Sequence, residues 1–346
     1  MSALLAALLF GASTPLAKLL LIDIGPWMLA ALLYLGSGLG LALYRRGAQV
    51  QPVNLQSGEA RWLAAAVASG GVVGPVLLMW GLSAMPATNA SLLLNLESVL
   101  TVLLAWGVFG ENLGRRIAIG MVAIVTGGLV LAWPSTDAGR LLHWDAVWPT
   151  MAVTGACLAW AIDNNLTRKV ALADASFIAM VKGLAAGTTN LGLALALGVA
   201  WPGLGTAAAA GLLGLLGYGA SLVLFVAALR HLGAARTGAY FGVAPFLGAA
   251  LAIALLGEPI SWPLVVSAVL MGSGVWLHVT ENHAHLHRHD SVTHAHEHSH
   301  AEDDEHHRHS HDANAPEGLR HTHAHHHEPL EHQHPHFPDA HHRHRH

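Results

Sequence analysis

The chain has 346 residues, of which 53% are hydrophobic and only 11% charged, with a formal net charge of −4. A water-soluble globular domain carries about 25% charged residues, so most of this chain has no water-facing surface to cover. Up to residue 280 there are 12 Lys and Arg against 9 Asp and Glu; beyond it there are 5 against 12, and 24 of the 27 histidines fall between His283 and His346. An apolar body and a polar tail therefore share one chain.

A spanning helix needs about 20 mostly apolar residues. Ten such segments are predicted in chain order, at 2–22, 27–44, 62–82, 86–109, 114–133, 147–167, 176–200, 207–229, 234–256 and 262–280. The connections are short, and the 37 glycines suit helices packed closely in lipid. The first segment has no basic start and is long for a signal-peptide core, so it is expected to remain a spanning helix. With the N-terminus inside, Arg45, Arg46, Arg61, Arg115, Arg116, Arg168, Lys169, Arg230 and Arg236 fall in cytoplasmic loops, against Arg140 alone outside. The expectation is a multi-pass protein of a bacterial-type inner (plasma) membrane, with N- and C-termini cytoplasmic. Trp27, Trp133, Trp144, Trp148, Trp201 and Trp262 lie near predicted ends and read as interfacial anchors. The lone Cys157 sits in an apolar run and reads as a core position; no intrachain disulfide is available. From about Glu281 the apolar periodicity stops, and the tail is expected to be disordered without a ligand.

A pattern recurs along the body. VFGENLGRRIAIGMVAIVTGGLVLAW around Glu111 returns as LLGEPISWPLVVSAVLMGSGVWLHV around Glu258, the Gly-Glu pairs lying 147 residues apart. FGASTPLAKLL from Phe10 matches WAIDNNLTRKV from Trp160 more weakly, with Lys18 over Arg168 at an offset of 150. Five spans per copy is an odd number, so the copies enter the membrane from opposite sides, a common construction for secondary transporters. The expected fold is therefore an all-α membrane protein: ten transmembrane helices in two inverted five-helix repeats, 1–133 and 147–280, plus a disordered His-rich C-terminal tail at 281–346.

The doubled Gly-Glu pair with its Gly-rich following helix resembles the EamA family of the drug/metabolite transporter superfamily. So do FGASTPLAKLLL in the first helix, NASLLLNLESVLTVLLAWGVFGE in the fourth and GAYFGVAPFLGAALAIALLGE in the ninth. The resemblance covers residues 1 to about 280 and leaves the tail outside. It implies ten helices, both termini inside and movement of small metabolites or drugs, with no particular substrate. One departure is visible: Pro245 has Ser98 as its counterpart, so the proline that would break a helix there is missing from the first copy.

Ionisable groups at membrane depth are costly and usually face a cavity or a partner. Glu97, in the middle of the fourth span, is the best candidate for a proton or cation site, with pairing to another helix as the alternative. Asn95 lies about 200° away on the helix, so the two cannot both point into one pore. Lys18 is open to two roles, snorkelling to the outer interface or facing a vestibule. Asp163, Asn164 and Asn165 cover more than half of the sixth helix's circumference and cannot all face lipid; they read as cavity lining or as a hydrogen-bond network. Lys182 is placed to pair with Asp163. Asn89, Tyr218 and Tyr240 are further cavity-lining candidates. Glu111 and Glu258 read as caps of the helices that follow them.

No nucleophile–base pair, phosphate-binding glycine loop or HExxH pattern is present, so no enzyme, required cofactor or nucleic-acid partner is expected. His143, His231 and His278 lie at predicted helix ends and read as interfacial. Three functions are open: a gradient-coupled carrier of a small organic molecule, a transition-metal exporter with the tail collecting ions, and a membrane metal sensor that transports nothing. In the tail, His283, His285, His287, His294, His296, His298, His300, His321, His323 and His325 alternate with short residues, a pattern suited to Zn, Ni, Co or Cu at low selectivity. Free histidine titrates near pH 6.5 and only neutral imidazole binds metal. Isothermal titration of a 281–346 peptide should therefore show several Zn or Ni ions bound at about pH 7.5 and release below about pH 5.5; unchanged stoichiometry and affinity at acid pH would exclude imidazole chelation.

Overall fold

The computed structural model describes residues 1–48, 58–109, 114–132, 144–167, 174–225, 227–228, 240–280, 283–289, 292–298, 321–327 and 330–336, with side chains described for those outside 109, 144–146, 175 and the tail. The chain divides into two compact units, Met1–Glu281 and Asn282–His346.

In an apolar solvent every backbone N–H and C=O must be satisfied internally, which leaves the helix as the spanning element for a chain patterned like this one. The first unit holds α1 (Ser2–Leu20), α2 (Pro26–Gly47), α3 (Glu59–Ala66), α4 (Gly74–Ala84), α5 (Ala87–Leu93) and α6 (Leu96–Phe109). It continues with α7 (Arg115–Ala132), α8 (Trp144–Thr167), α9 (Ala175–Ala196), α10 (Leu204–Gly214), α11 (Ala244–Leu256) and α12 (Trp262–Val279). Among the described residues, eight helical runs are long and apolar enough to cross a membrane, counting Glu59–Ala84, Ala87–Val108 and Leu204–Phe225 each as one. The sixth and ninth predicted spans fall outside that set. α8 has 24 residues but carries the polar Asp163-Asn164-Asn165 end, and α11 is a shorter apolar helix of 13 residues.

Three irregularities bend these runs. A π-helical segment, Val67–Val73, joins α3 to α4, and a second, Leu215–Ala220, follows α10. The fourth run also breaks, at Leu94–Asn95, although no proline stands there. The proline-based expectation is corrected by local side-chain chemistry. The Asn95 amide donates to Leu92 O at 2.8 Å, Ser98 Oγ donates to Asn95 O at 2.8 Å, and the N–H groups of Asn95 and Glu97 bond three residues back at 3.1 Å. Asn and Ser compete in this way with the regular ladder.

The described residues of the second unit lie in four short strands. β1 (His283–His289) pairs antiparallel with β4 (Leu330–His336), and β2 (Val292–His298) with β3 (His321–His327). A His-x-His alternation has the two-residue period of a strand.

Helices close on one another through glycine. The core around Met28, Leu33, Met79, Leu82 and Leu92 is fully buried. Beside it the α2 backbone meets α10 so closely that a Cβ on Gly36 would lie 2.0 Å from Gly211 O, and one on Gly214 would lie 1.9 Å from Leu33 O. Replacing Gly36 by Val should therefore force the helices apart and cost roughly 1–3 kcal/mol or more, read as a lowered unfolding temperature in detergent. Gly192→Ala, where nothing lies within 4 Å, should be neutral or mildly stabilising; equal behaviour of the two variants would disprove the close-packing account.

Candidate functional site

The break at Leu94–Asn95 turns the two polar residues of this run in different directions. Asn95 is buried and its amide also approaches Met271 Sδ at 3.9 Å. Glu97, half-buried, accepts a 2.8 Å hydrogen bond from Asn164 Nδ2 on α8. Asn165, one residue on, is buried and donates to Thr101 O at 3.2 Å and to Ala161 O at 2.9 Å. The triplet is thus divided by partner: Asn164 serves Glu97, Asn165 ties α8 to α6, and Asp163 meets Lys182 on α9.

Asp163 carries out the pairing expected of it. Its Oδ1 lies 2.5 Å from Lys182 Nζ on α9, and Thr167 Oγ1 donates to the same oxygen at 2.9 Å while accepting from Lys182 at 2.7 Å. The two side chains keep 11% and 17% of their surface exposed, so the ion pair is largely withdrawn from water.

Above this pair, the first π segment provides an acceptor. A π turn displaces carbonyls from the regular ladder, and Gly70 O accepts both Trp160 Nε1 at 2.8 Å and Tyr34 Oη at 3.0 Å. Asn190 Nδ2 donates to the neighbouring Gly71 O at 3.1 Å. Gly70 has no room for a side chain, because a Cβ there would lie 2.1 Å from Asp163 Oδ2. Tyr218, in the second π segment, packs against Tyr34 at 5.8 Å and edge-on against Phe10 at 5.9 Å. Trp160, Tyr34 and Thr101 were not singled out from sequence. The available signal was that Trp160 precedes Asn164 by four residues, one turn along the same helix face.

Side chains far apart in sequence also hold the ends of the helices. Lys18 reaches the end of another helix. Its Nζ donates to Leu82 O at 2.6 Å, Ser83 O at 3.2 Å and Met85 O at 3.0 Å, closing the C-terminus of α4. Glu258 corrects the capping expectation. Its carboxylate accepts from Ala87 N at 2.7 Å, from Thr88 N at 2.8 Å and from the Thr88 hydroxyl, so it caps α5. The helix after Glu258 is capped by Ser261, whose Oγ accepts from Leu264 N at 3.4 Å; a hydroxyl directly before the first turn is the better-placed cap. At the end of α2, Arg45 Nη1 lies 2.5 Å from Asp174 Oδ1 and also donates to Ser176 Oγ. Burial by itself would raise the Asp174 carboxyl, but hydrogen bonds from Ser176 and Phe177 N–H and the Arg45 charge together lower it. A lowered folded-state pKa gives stability that is complete above the unfolded value, about 3.9, and is lost as pH falls through the folded one.

Of the remaining candidates, Asn89 is half-buried on α5 and Tyr240 is 43% exposed. Glu111, Arg168, Lys169 and His300 lie outside the described residues, and the side chains of the other tail histidines, from His283 to His325, are likewise outside them. Among the described residues no group of three or more His, Cys, Asp and Glu is placed to hold a metal ion.

The eight long apolar runs among the described residues define an integral multi-pass membrane protein. The sequence profile of the EamA-like transporter family matches residues 1–133 and again 147–280, and the chain belongs to that family. It is 29% identical over 299 residues to an uncharacterized transporter of Methanothermobacter thermautotrophicus, covering 80% of this chain and 84% of that one. A protein of known crystal structure superposes with a TM-score of 0.57 at 18% identity over 80% of this chain and 94% of the other; at that identity the likeness is one of fold.

A buried ion pair loses far more when one partner is removed than when both are. Lys182→Met should therefore destabilise by about 3–5 kcal/mol in chemical or thermal unfolding, and adding Asp163→Asn should recover much of it. Additive losses in this double-mutant cycle would show that the pair contributes nothing as a unit.

Proposed function

We propose that the protein is a secondary transporter that moves a small metabolite or drug across a bacterial-type inner membrane by alternating access. Ten helices span the bilayer in this reading, with both termini in the cytoplasm and the lipid bilayer and a small-molecule substrate as its partners. The observation that carries it is the Glu97–Asn164 hydrogen bond, a half-buried carboxylate joining α6 of the first family match to α8 of the second. A polar contact at that boundary is where a substrate would meet two rocking halves. Lys18, Asn89, Asp163, Asn165, Lys182, Tyr218 and Tyr240 complete the candidate pathway, with Lys18 acting through α4. No cofactor is required.

The tail supports a second reading, a transition-metal exporter in which its histidines gather Zn, Ni, Co or Cu. A non-transporting metal sensor is the third. Both rest on the tail alone. Purified protein in proteoliposomes separates the three. Glu97→Gln should abolish the dependence of substrate flux on a pH gradient, and unchanged pH dependence would remove Glu97 from coupling. Deletion of 283–346 should leave metabolite flux intact; loss of metal flux on the same deletion would favour the exporter, and absence of any ligand-dependent flux in the intact protein would favour the sensor.

A further inference from the structure

We infer that the Glu97 centre takes an organic cation, an ammonium group carried on an aromatic or apolar body; the inference rests on reading this centre as the carrier's binding site. The charge inventory of the described spans points there. Lys182 is matched by Asp163 at 2.5 Å. Lys18 is held on three helix-end carbonyls, and Glu258 on two backbone N–H groups and a hydroxyl. Arg45 is matched by Asp174. Glu97 is left with a neutral partner, the Asn164 carboxamide.

An uncompensated carboxylate at membrane depth is expensive, and its electrostatic field favours a cation and repels an anion. The hydrogen bond to Glu97 uses Asn164 Nδ2, which leaves the other Glu97 oxygen and Asn164 Oδ1 as acceptors. An ammonium group offers N–H donors to both, whereas a carboxylate offers none.

The body of the ligand is argued from the adjoining aromatic rings. Trp160 lies one turn from Asn164 on the same face of α8. Its indole and the Tyr34 phenol are tied to a single carbonyl, Gly70 O, and Tyr218 and Phe10 continue the surface. All four rings are half-buried between helices, so ring surface remains for a ligand. Rings fixed by their polar edges present faces suited to apolar and cation–π contact.

The test uses the full-length protein in detergent with 2-phenylethylammonium as cation and 3-phenylpropionate as an anion of similar size. Saturable binding of the cation, with the anion bound at least about thirtyfold more weakly, is expected of the wild type, because loss of a buried charge partner is a large effect. Glu97→Gln should weaken the cation by a similar factor and leave the anion unimproved or improved, and Glu97→Asp should restore part of the affinity. The wild-type preference is measured without any variant, so a misfolded Glu97→Gln does not protect the inference. Equal or stronger binding of the anion, no saturable cation binding, or full affinity in a folded Glu97→Gln overturns it. Counterflow in proteoliposomes is read separately. Cation binding without flux would sink the carrier reading and leave the cation site standing; flux of another metabolite with no cation binding would do the reverse.

Discussion

The turn between α4 and α5 leaves helix-end carbonyls and N–H groups without intrahelical partners, and two charged side chains from elsewhere in the chain satisfy them. Lys18 closes the carbonyls of Leu82, Ser83 and Met85, and Glu258 closes the N–H groups of Ala87 and Thr88. The consequence reaches the centre of the molecule. With its N-terminus pinned from the second family match, α5 runs to the Leu94–Asn95 break, and the break sets the direction in which α6 presents Glu97. Glu97 thus lies on a helix whose entry is held by a carboxylate 161 residues further along the chain.

The two copies of the repeat share geometry and differ in charge. The π segments begin at Val67 and Leu215, close to the spacing of the Gly-Glu pairs. In each, a glycine lies against a polar residue of the matched helix: Gly70 against Asp163, and Gly217 against Ser13, where an added Cβ would lie 2.9 Å from the Ser13 Cβ. The match of Phe10 with Trp160 puts Ser13 over Asp163. The same architectural place thus holds a hydroxyl in one copy and a carboxylate in the other. The carboxylate has its lysine, and the neutral copy has the Tyr218–Phe10 contact instead. Duplication supplied the frame, and divergence of single residues made the two sides chemically different.

Close glycine contacts and polar ties act on different parts of this frame. Glycine lets α2 approach α10 and α9 at backbone distance, which favours dispersion contacts over a broad face. Polar ties hold the helix ends, Arg45 to Asp174 at one and Glu258 to Thr88 at another. A rocking motion of the kind proposed would slide the packed faces by small amounts but would have to exchange these end contacts for others.

Much of this protein is legible in its sequence. Long apolar runs, scarce charge and abundant glycine dictate a helical membrane body, because lipid admits no unsatisfied backbone; the doubled Gly-Glu pattern carried the family. The partnership of Asp163 with Lys182 was also readable, since two opposite charges in neighbouring apolar helices have few other ways to be satisfied. The assignment of Glu258 to its following helix failed, because a carboxylate beside a helix start caps whichever N-terminus folding brings to it, and Ser261 already served the nearer one. The role of Lys18, the break without proline at Asn95 and the shared carbonyl at Gly70 were likewise fixed only in three dimensions. Composition and periodicity determine which surfaces must be buried; which polar group meets which across those surfaces depends on helix ends and π turns whose partners are distant in the chain.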